Sequence, residues 1–257
     1  MLIDPVLSEA VTLYKICKYC ITMPPTKKKE SFNVVNWYEK IPKKFLLESE
    51  NPNYDMHKLK IPARYLLIGG SGAGKTQYLL TLLTKAFNDT FANIWVVTRN
   101  KDEPLYNYLG SLSDRIRIVE GLENTPKLDE MDKEVNNCVV FDDMVTTKDQ
   151  RIMENFFIRS RKMNCSVFML SQSFYRISKL IRQQATYIII LKLSGMKDLR
   201  LVLSDLSLGI KKETLDKMYL YATQEKFSPL LIDMESPPEK RFRRGFLELL
   251  DPSEFGD

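Results

Sequence analysis

Gly69-Gly70-Ser71-Gly72-Ala73-Gly74-Lys75-Thr76 stands between a short apolar run, Arg64-Tyr65-Leu66-Leu67-Ile68, and the stretch Gln77 to Phe87, whose apolar residues recur at helical spacing. The first run reads as a buried strand and the second as a helix. The eight residues between them fit G-x-x-x-x-G-K-[ST], the phosphate-binding loop. Glycines open backbone conformations closed to residues with a side chain, so the amides of Gly70, Ser71, Gly72, Ala73, Gly74, Lys75 and Thr76 can curl around phosphate oxygens. Lys75 is placed to reach the β- and γ-phosphates and the Thr76 hydroxyl to ligate Mg²⁺. A helix that starts at the loop aims the positive end of its dipole at the same anion. An incidental glycine-rich turn needs neither flank, so strand, loop and helix together define a P-loop NTPase.

Apolar, β-branched runs recur at 65–69, 93–98, 116–119, 138–142, 166–171, 187–193 and 229–233, with helical patterns between several of them, as at 77–87 and 150–163. That alternation predicts an α/β fold, a mainly parallel sheet with helices on both faces. Within P-loop proteins the expected type is ASCE, RecA-like. The chain divides by composition into an N-terminal extension and linker (1–60), a P-loop ATPase domain (61–235) and a basic C-terminal tail (236–257). The extension holds a helix-like stretch, Val6 to Ile21, closed by Met23-Pro24-Pro25-Thr26-Lys27-Lys28-Lys29, and Met23 is an alternative start.

A phosphate loop needs a carboxylate for its metal ion. Asn137-Cys138-Val139-Val140-Phe141-Asp142-Asp143 is an apolar strand that ends in two acids. Asp142, at the strand tip, would hold Mg²⁺ directly or through water. Asp143 would act as general base on the attacking water. A third strand, Ser166 to Ser171, ends at Gln172 on the same edge of the sheet, where ligands of open α/β sheets sit. Gln172 would sense the γ-phosphate or orient water, the alternative being a simple capping role. Between the acids and this strand lies Ile158-Arg159-Ser160-Arg161-Lys162, from which Arg161, with Arg159 second, could present an arginine finger across a subunit interface.

The chain has 257 residues, 44% of them hydrophobic and 28% charged, enough for a sizeable core under a soluble surface. No apolar run approaches the roughly 20 residues that span a bilayer, so an integral membrane protein is not expected. Four cysteines and one histidine fit a reducing compartment. Cys17-Lys18-Tyr19-Cys20 has metal-site spacing but lacks the further ligands zinc requires. Asn100-Lys101-Asp102-Glu103 mimics a guanine-reading N-K-x-D, yet ends in Glu and comes one strand after the loop, too early for a GTPase. The net charge of +5 is clustered at Lys27–Lys29, Lys43-Lys44, Arg159/Arg161/Lys162 and Arg241/Arg243/Arg244. These clusters are either solvated faces or contacts to a nucleic-acid backbone, which would be sequence-independent and salt-sensitive.

The segment Asn53 to Pro62, the loop GGSGAGKT, the strand-end pair Asp142-Asp143 and the block Arg161-Lys162-Met163-Asn164-Cys165 through Ser173 together resemble the viral DNA-packaging ATPases of the FtsK–HerA superfamily, in particular the poxvirus-type and giant-virus or virophage versions. The likeness covers roughly residues 51 to 235. The usual superfamily pair is Asp-Glu, so Asp143 is one methylene shorter than the common residue.

What the resemblance implies is an ATP- and Mg²⁺-dependent ring, hexameric or pentameric, that drives double-stranded DNA into a preformed capsid. ATP would bind between subunits, with Arg161 acting on the neighbour's nucleotide. A capsid or internal-membrane docking partner and a location in the virion or the viral factory of the host cytoplasm follow from the same resemblance. Arg176, Lys179 and Arg182, three apart, would either line the DNA track or form an exposed helix face. Two rivals remain: a small-molecule kinase acting on nucleosides or nucleotides, and a nucleotide-binding capsid assembly factor with weak hydrolysis.

Overall fold

The computed structural model describes residues 34–46, 49–146 and 149–256. The expected helix from Val6 to Ile21, the Cys17/Cys20 pair, Met23 and the Pro24–Lys29 linker lie outside the described residues. Contacts divide the chain into two units, Met1–Leu46 and Leu47–Asp257. Within the first, Trp37–Glu39 and Lys43–Phe45 are single 3₁₀ turns, and Val34, Trp37, Tyr38 and Phe45 are exposed.

The second unit is built on a nine-stranded sheet of order β3-β2-β4-β5-β1-β6-β7-β8-β9. The strands are β1 Arg64–Ile68, β2 Asn93–Thr98, β3 Ile116–Glu120, β4 Asn137–Asp142, β5 Cys165–Ser171, β6 Tyr187–Ile190, β7 Leu230–Asp233, β8 Phe242–Arg244 and β9 Glu248–Leu249. From β3 to β6 neighbouring strands are parallel; β7, β8 and β9 continue the sheet antiparallel. Every strand expected from an apolar run is present. Alternate side chains of each strand feed two separate cores: Leu66 and Ile68 enter one, Tyr65 and Leu67 the other. Burial on both faces is why these strands are apolar throughout rather than alternating.

One face is covered by α2 (Lys75–Thr81) and α3 (Pro104–Ser111), the other by α4 (Arg151–Arg159), α5 (Lys179–Gln184), α6 (Met196–Leu206) and α7 (Lys212–Ala222). α2 does not run on as a regular helix. Leu82–Ala86 forms a π turn, and the Phe87 amide donates to the Leu82 carbonyl at 2.7 Å, a five-residue step. The turn delivers Phe87 onto a stack of rings at the sheet surface. Tyr65 lies 4.2 Å from Phe168 and 5.1 Å from Tyr187, nearly parallel to both, and Phe87 meets Tyr65 and His57 edge-on.

Both expected boundaries of the ATPase domain move outward. At the N-terminal side, α1 (Tyr54–His57) belongs to the domain: His57 is buried 4.8 Å from Phe87, accepts the Leu59 amide on Nδ1, and burial lowers its pKa to about 4. At the C-terminal side, residues 236–257 are not a free basic tail. Phe242 is buried, and Arg243 is buried with its Nη2 2.7 Å from Asp233 Oδ2. Arg241 donates to the Leu208 carbonyl, and Arg244 pairs with Glu225 and Glu248. The reading of this arginine cluster as a nucleic-acid contact is therefore corrected: its side chains are engaged within the domain, Arg243 with β7, Arg244 with β9 and the turn before β7, and Arg241 with backbone carbonyls.

Candidate active site

Parallel strands place all their C-terminal ends on one edge, and β1, β4 and β5 bring the functional segments there in the order acid, polar, phosphate loop. Because β5 lies between β4 and β1, Gln172 falls between the Asp142-Asp143 pair and the loop. The loop is fastened on both flanks: the Gly69 amide donates to the Ser171 carbonyl and the Gly70 amide to the Lys192 carbonyl, beyond β6. Two glycines are required by geometry. A Cβ on Gly70 would stand 2.5 Å from Ser194 Oγ, and Gly74 has φ +95 with a virtual Cβ 2.1 Å from the Phe227 ring. Lys75 Nζ donates to the carbonyls of Gly69 (2.9 Å) and Gly70 (3.2 Å), bridging the loop it serves. Burial lowers its pKa, opposed by the negative charges of Asp142 and Asp143.

Asp142 is buried at the tip of β4, and Tyr106 Oη donates to its Oδ2 at 2.6 Å. Burial raises the Asp142 carboxyl to about 6, with Glu103 and Asp143 adding to the rise while Tyr106 and Lys75 oppose it. Thr76 interacts with the same phenol, so Thr76, Tyr106 and Asp142 form one polar group at the N-terminus of α2. A buried carboxylate beside a hydroxyl is a hard-oxygen set that fits Mg²⁺, which takes one or two protein ligands and completes its shell with phosphate and water. Among the described residues no three His, Cys, Asp or Glu gather into a denser metal cluster.

Asp143 is in left-handed backbone, φ 51, which turns its side chain away from the one before it. With Gln172, Ser173, Arg176 and Ser194 it lines a cavity of about 280 Å³. The Gln172 segment is braced from behind. Asp198 Oδ1 accepts from Ser173 Oγ (3.0 Å) and the Tyr175 amide (3.1 Å), and Arg182 Nη1 donates to the carbonyls of Phe174, Tyr175 and Ile177. Arg182 also pairs with Asp205 at 2.5 Å. It is buried, and Arg176 precedes α5 rather than lying on it, so the expected stripe of Arg176, Lys179 and Arg182 does not form.

Arg161 lies at the other edge of the sheet. It sits in the 3₁₀ turn Ser160–Met163 before β5, and its Nη1 is 3.3 Å from Glu235 Oε1, a carboxylate shared with Lys60. A strand the length of β5 separates it from its own loop, further than an arginine reaches. Arg159 pairs with Asp129. Tyr106, Asp198 and Arg182 are absent from the sequence-based site. Only Tyr106 left a signal: it follows Pro104, a helix-starting residue, just past the end of β2 and hence on the functional edge. A cavity of about 740 Å³ between Leu80, Phe91 and Ile116 is away from this edge, as expected when the ligand is gripped by backbone amides rather than enclosed.

Asp142 carries a measurable stability signature. Its folded pKa is above the ordinary 3.8, so the folded protein holds this proton where the unfolded chain has lost it. Stability therefore falls as pH rises from 3.8 to about 6, and the whole penalty, at most about 3 kcal/mol, is present above that. Asp142→Asn is expected to melt higher than wild type at pH 8 and at the same temperature near pH 4. Equal melting at pH 8 would show that the carboxylate is not strained by burial.

This fold and site define a P-loop ATPase. A family profile, the Poxvirus A32 protein, matches residues 52–235, which include the loop, both acids, Arg161 and Gln172. The chain belongs to that family. No curated protein matches the sequence. Among solved structures, the genome-packaging NTPase B204 of Sulfolobus turreted icosahedral virus 2 bound to AMP superposes with a TM-score of 0.54 at 13% identity, covering 73% of this chain and 98% of its own. B204 described as the DNA-packaging ATPase of Sulfolobus turreted icosahedral virus gives 0.55 at 13% identity, covering 76% and 98%. EssC ATPases 2 and 3 of Geobacillus thermodenitrificans give 0.50 at 11% identity, covering 76% and 40%. At these identities the likeness is one of fold. Among the described residues no helix is long and apolar enough to cross a membrane.

Proposed function

We propose that this chain is an ATP-driven translocase that packages double-stranded viral DNA into a preformed capsid, hydrolysing ATP between the subunits of a hexameric or pentameric ring. The observation that carries the reading is the split of the machinery across the sheet. Lys75, Thr76, Asp142, Asp143 and Gln172 lie toward one edge, while Arg161 stands at the other, out of reach of its own loop, which supports a role on a neighbour's nucleotide. Membership of the Poxvirus A32 family and the fold shared with the genome-packaging NTPase B204 support the same reading.

In this scheme the loop amides and Lys75 would hold the triphosphate, and Thr76 and Asp142 would hold Mg²⁺, which would neutralise charge on the phosphate oxygens. Asp143 would accept a proton from the water beyond the γ-phosphate, and Gln172, which precedes the segment braced by Asp198 and Arg182, would hold that water in line. The cavity that Asp143 and Gln172 share has room for it. DNA would be gripped through its backbone without sequence preference. Docking to the capsid or an internal membrane would take place at the assembling virion in the host cytoplasm.

ATP turnover measured with and without double-stranded DNA tests the proposal. DNA is expected to raise the rate several-fold at low salt, with the stimulation falling as salt rises. An unchanged rate together with phosphate transfer to a nucleoside would establish the kinase reading instead. Negligible turnover under both conditions, with nucleotide still bound, would establish an assembly factor.

A further inference from the structure

The loop and its acids account for the phosphate end of a nucleotide and leave the nucleoside end unassigned. Topology limits where that end can go. β1 has β5 on one side and β6 on the other. The hydrolytic groups follow β4 and β5, so the γ-phosphate end faces that side. The nucleoside must leave on the β6 side. Because β7 runs antiparallel to β6, with Ile190 opposite Leu230, the turn that precedes β7 returns to the edge where β1 and β6 end. That turn is Thr223–Ser228, and it lies against the phosphate loop.

Phe227 is the centre of the turn. Its ring packs on the backbone of Gly74, so closely that a methyl group on Gly74 would stand 2.1 Å from the ring edge. Its backbone is left-handed, φ 68, an outlier for a bulky residue that the surrounding structure must hold in place. The fold nevertheless leaves the side chain 40% exposed. What covers it from outside is Lys226, whose Nζ lies 4.9 Å from the ring centroid, a flexible cation rather than core. A groove of about 330 Å³ runs past this ring from Gly74 and Thr76 to Gln77, at the N-terminus of α2. A second, of about 210 Å³, lies on its other side between Ala73 and Lys192. Arg244 anchors the turn to β8 through Glu225 at 2.7 Å.

We propose that the Thr223–Ser228 turn is the nucleobase subsite of the nucleotide site, with the Phe227 ring as the face on which the base stacks. Lys226 gives way as the base arrives, and its charge moves to the phosphates. The inference rests on the nucleotide-binding reading above and adds to it the part of the ligand that reaches beyond the phosphates. An aromatic face next to a helix-terminal anion site selects a nucleoside triphosphate over a bare polyphosphate.

The test is calorimetric titration of the full chain, with Mg²⁺, by ATP and separately by inorganic tripolyphosphate. Phe227→Leu, which keeps an apolar side chain on Gly74, is expected to weaken ATP about 10-fold while tripolyphosphate affinity stays within a factor of about two. Phe227→Trp is expected to keep ATP affinity. Equal weakening of both ligands would make Phe227 a support of the loop and overturn the subsite, as would unchanged ATP affinity in Phe227→Leu. Wild-type protein that binds neither ligand would overturn the nucleotide-binding reading itself, a result distinct from both.

Discussion

Lys75→Ala is expected to leave the protein folded and without measurable ATP hydrolysis, a loss of at least about 10²–10³-fold. The lysine is half-buried, and its ammonium is aimed across the loop at the carbonyls of Gly69 and Gly70. Those contacts hold the charge over the loop whose amides would cradle the phosphates. Burial lowers the pKa of this ammonium and the two acids opposite raise it, and a positive charge at this position would stabilise the negative charge that develops on the phosphate. Alanine removes two hydrogen bonds worth roughly 0.5–1.5 kcal/mol each, a loss a folded domain of this size tolerates. Steady-state turnover and a thermal melt of the same preparation check the two halves of the statement. Appreciable turnover in a folded Lys75→Ala protein would place the reacting phosphates elsewhere.

The second large effect concerns a residue far from that cradle. Arg161→Ala is expected to lower hydrolysis about 10³-fold or more in the assembled protein. Its ion pair with Glu235 is half-exposed and worth at most about 1 kcal/mol, so stability should hardly move. Mixing is the decisive measurement. A Lys75→Ala subunit cannot use its own loop but still carries an intact Arg161, which it can lend to the loop of an Arg161→Ala neighbour. Each variant alone is expected to be inactive and the mixture partly active. No recovery in mixed rings of normal mass would remove Arg161 from catalysis. Arg159→Ala, which breaks the pair with Asp129, is the comparison: it is expected to leave hydrolysis intact, and a loss confined to it would reassign the finger to Arg159.

The strands were legible because a parallel sheet covered on both sides writes itself as β-branched, apolar runs, of which Asn93–Thr98 and Cys165–Ser171 are clear examples. The loop was legible because its glycines and Lys75-Thr76 are contiguous. β8 and β9 were not: three and two residues are too short for periodicity, and Arg243 reads as surface although Asp233 neutralises it inside the sheet. Arg182 misled for the same reason. Its charge is consumed by Asp205 and by carbonyls that no sequence pattern announces. Tyr106 and Asp198 meet their partners only through chain crossings of 36 and 25 residues, so their roles belong to topology rather than to motif.

The π turn at Leu82–Ala86 has a consequence for how this helix tolerates change. Its first turns must present Lys75 and Thr76 to an anion; its end must seat Phe87 against His57 and Tyr65. Each residue of a regular helix advances about 100° around the axis, so the two demands are met together only because one extra residue is absorbed between them. The turn works as a phase shifter. Shortening the segment by one residue would restore a smooth helix and swing Phe87 off the ring stack, whereas most substitutions at exposed positions there would leave the phase untouched. Length, more than composition, is what this stretch of the chain has to keep.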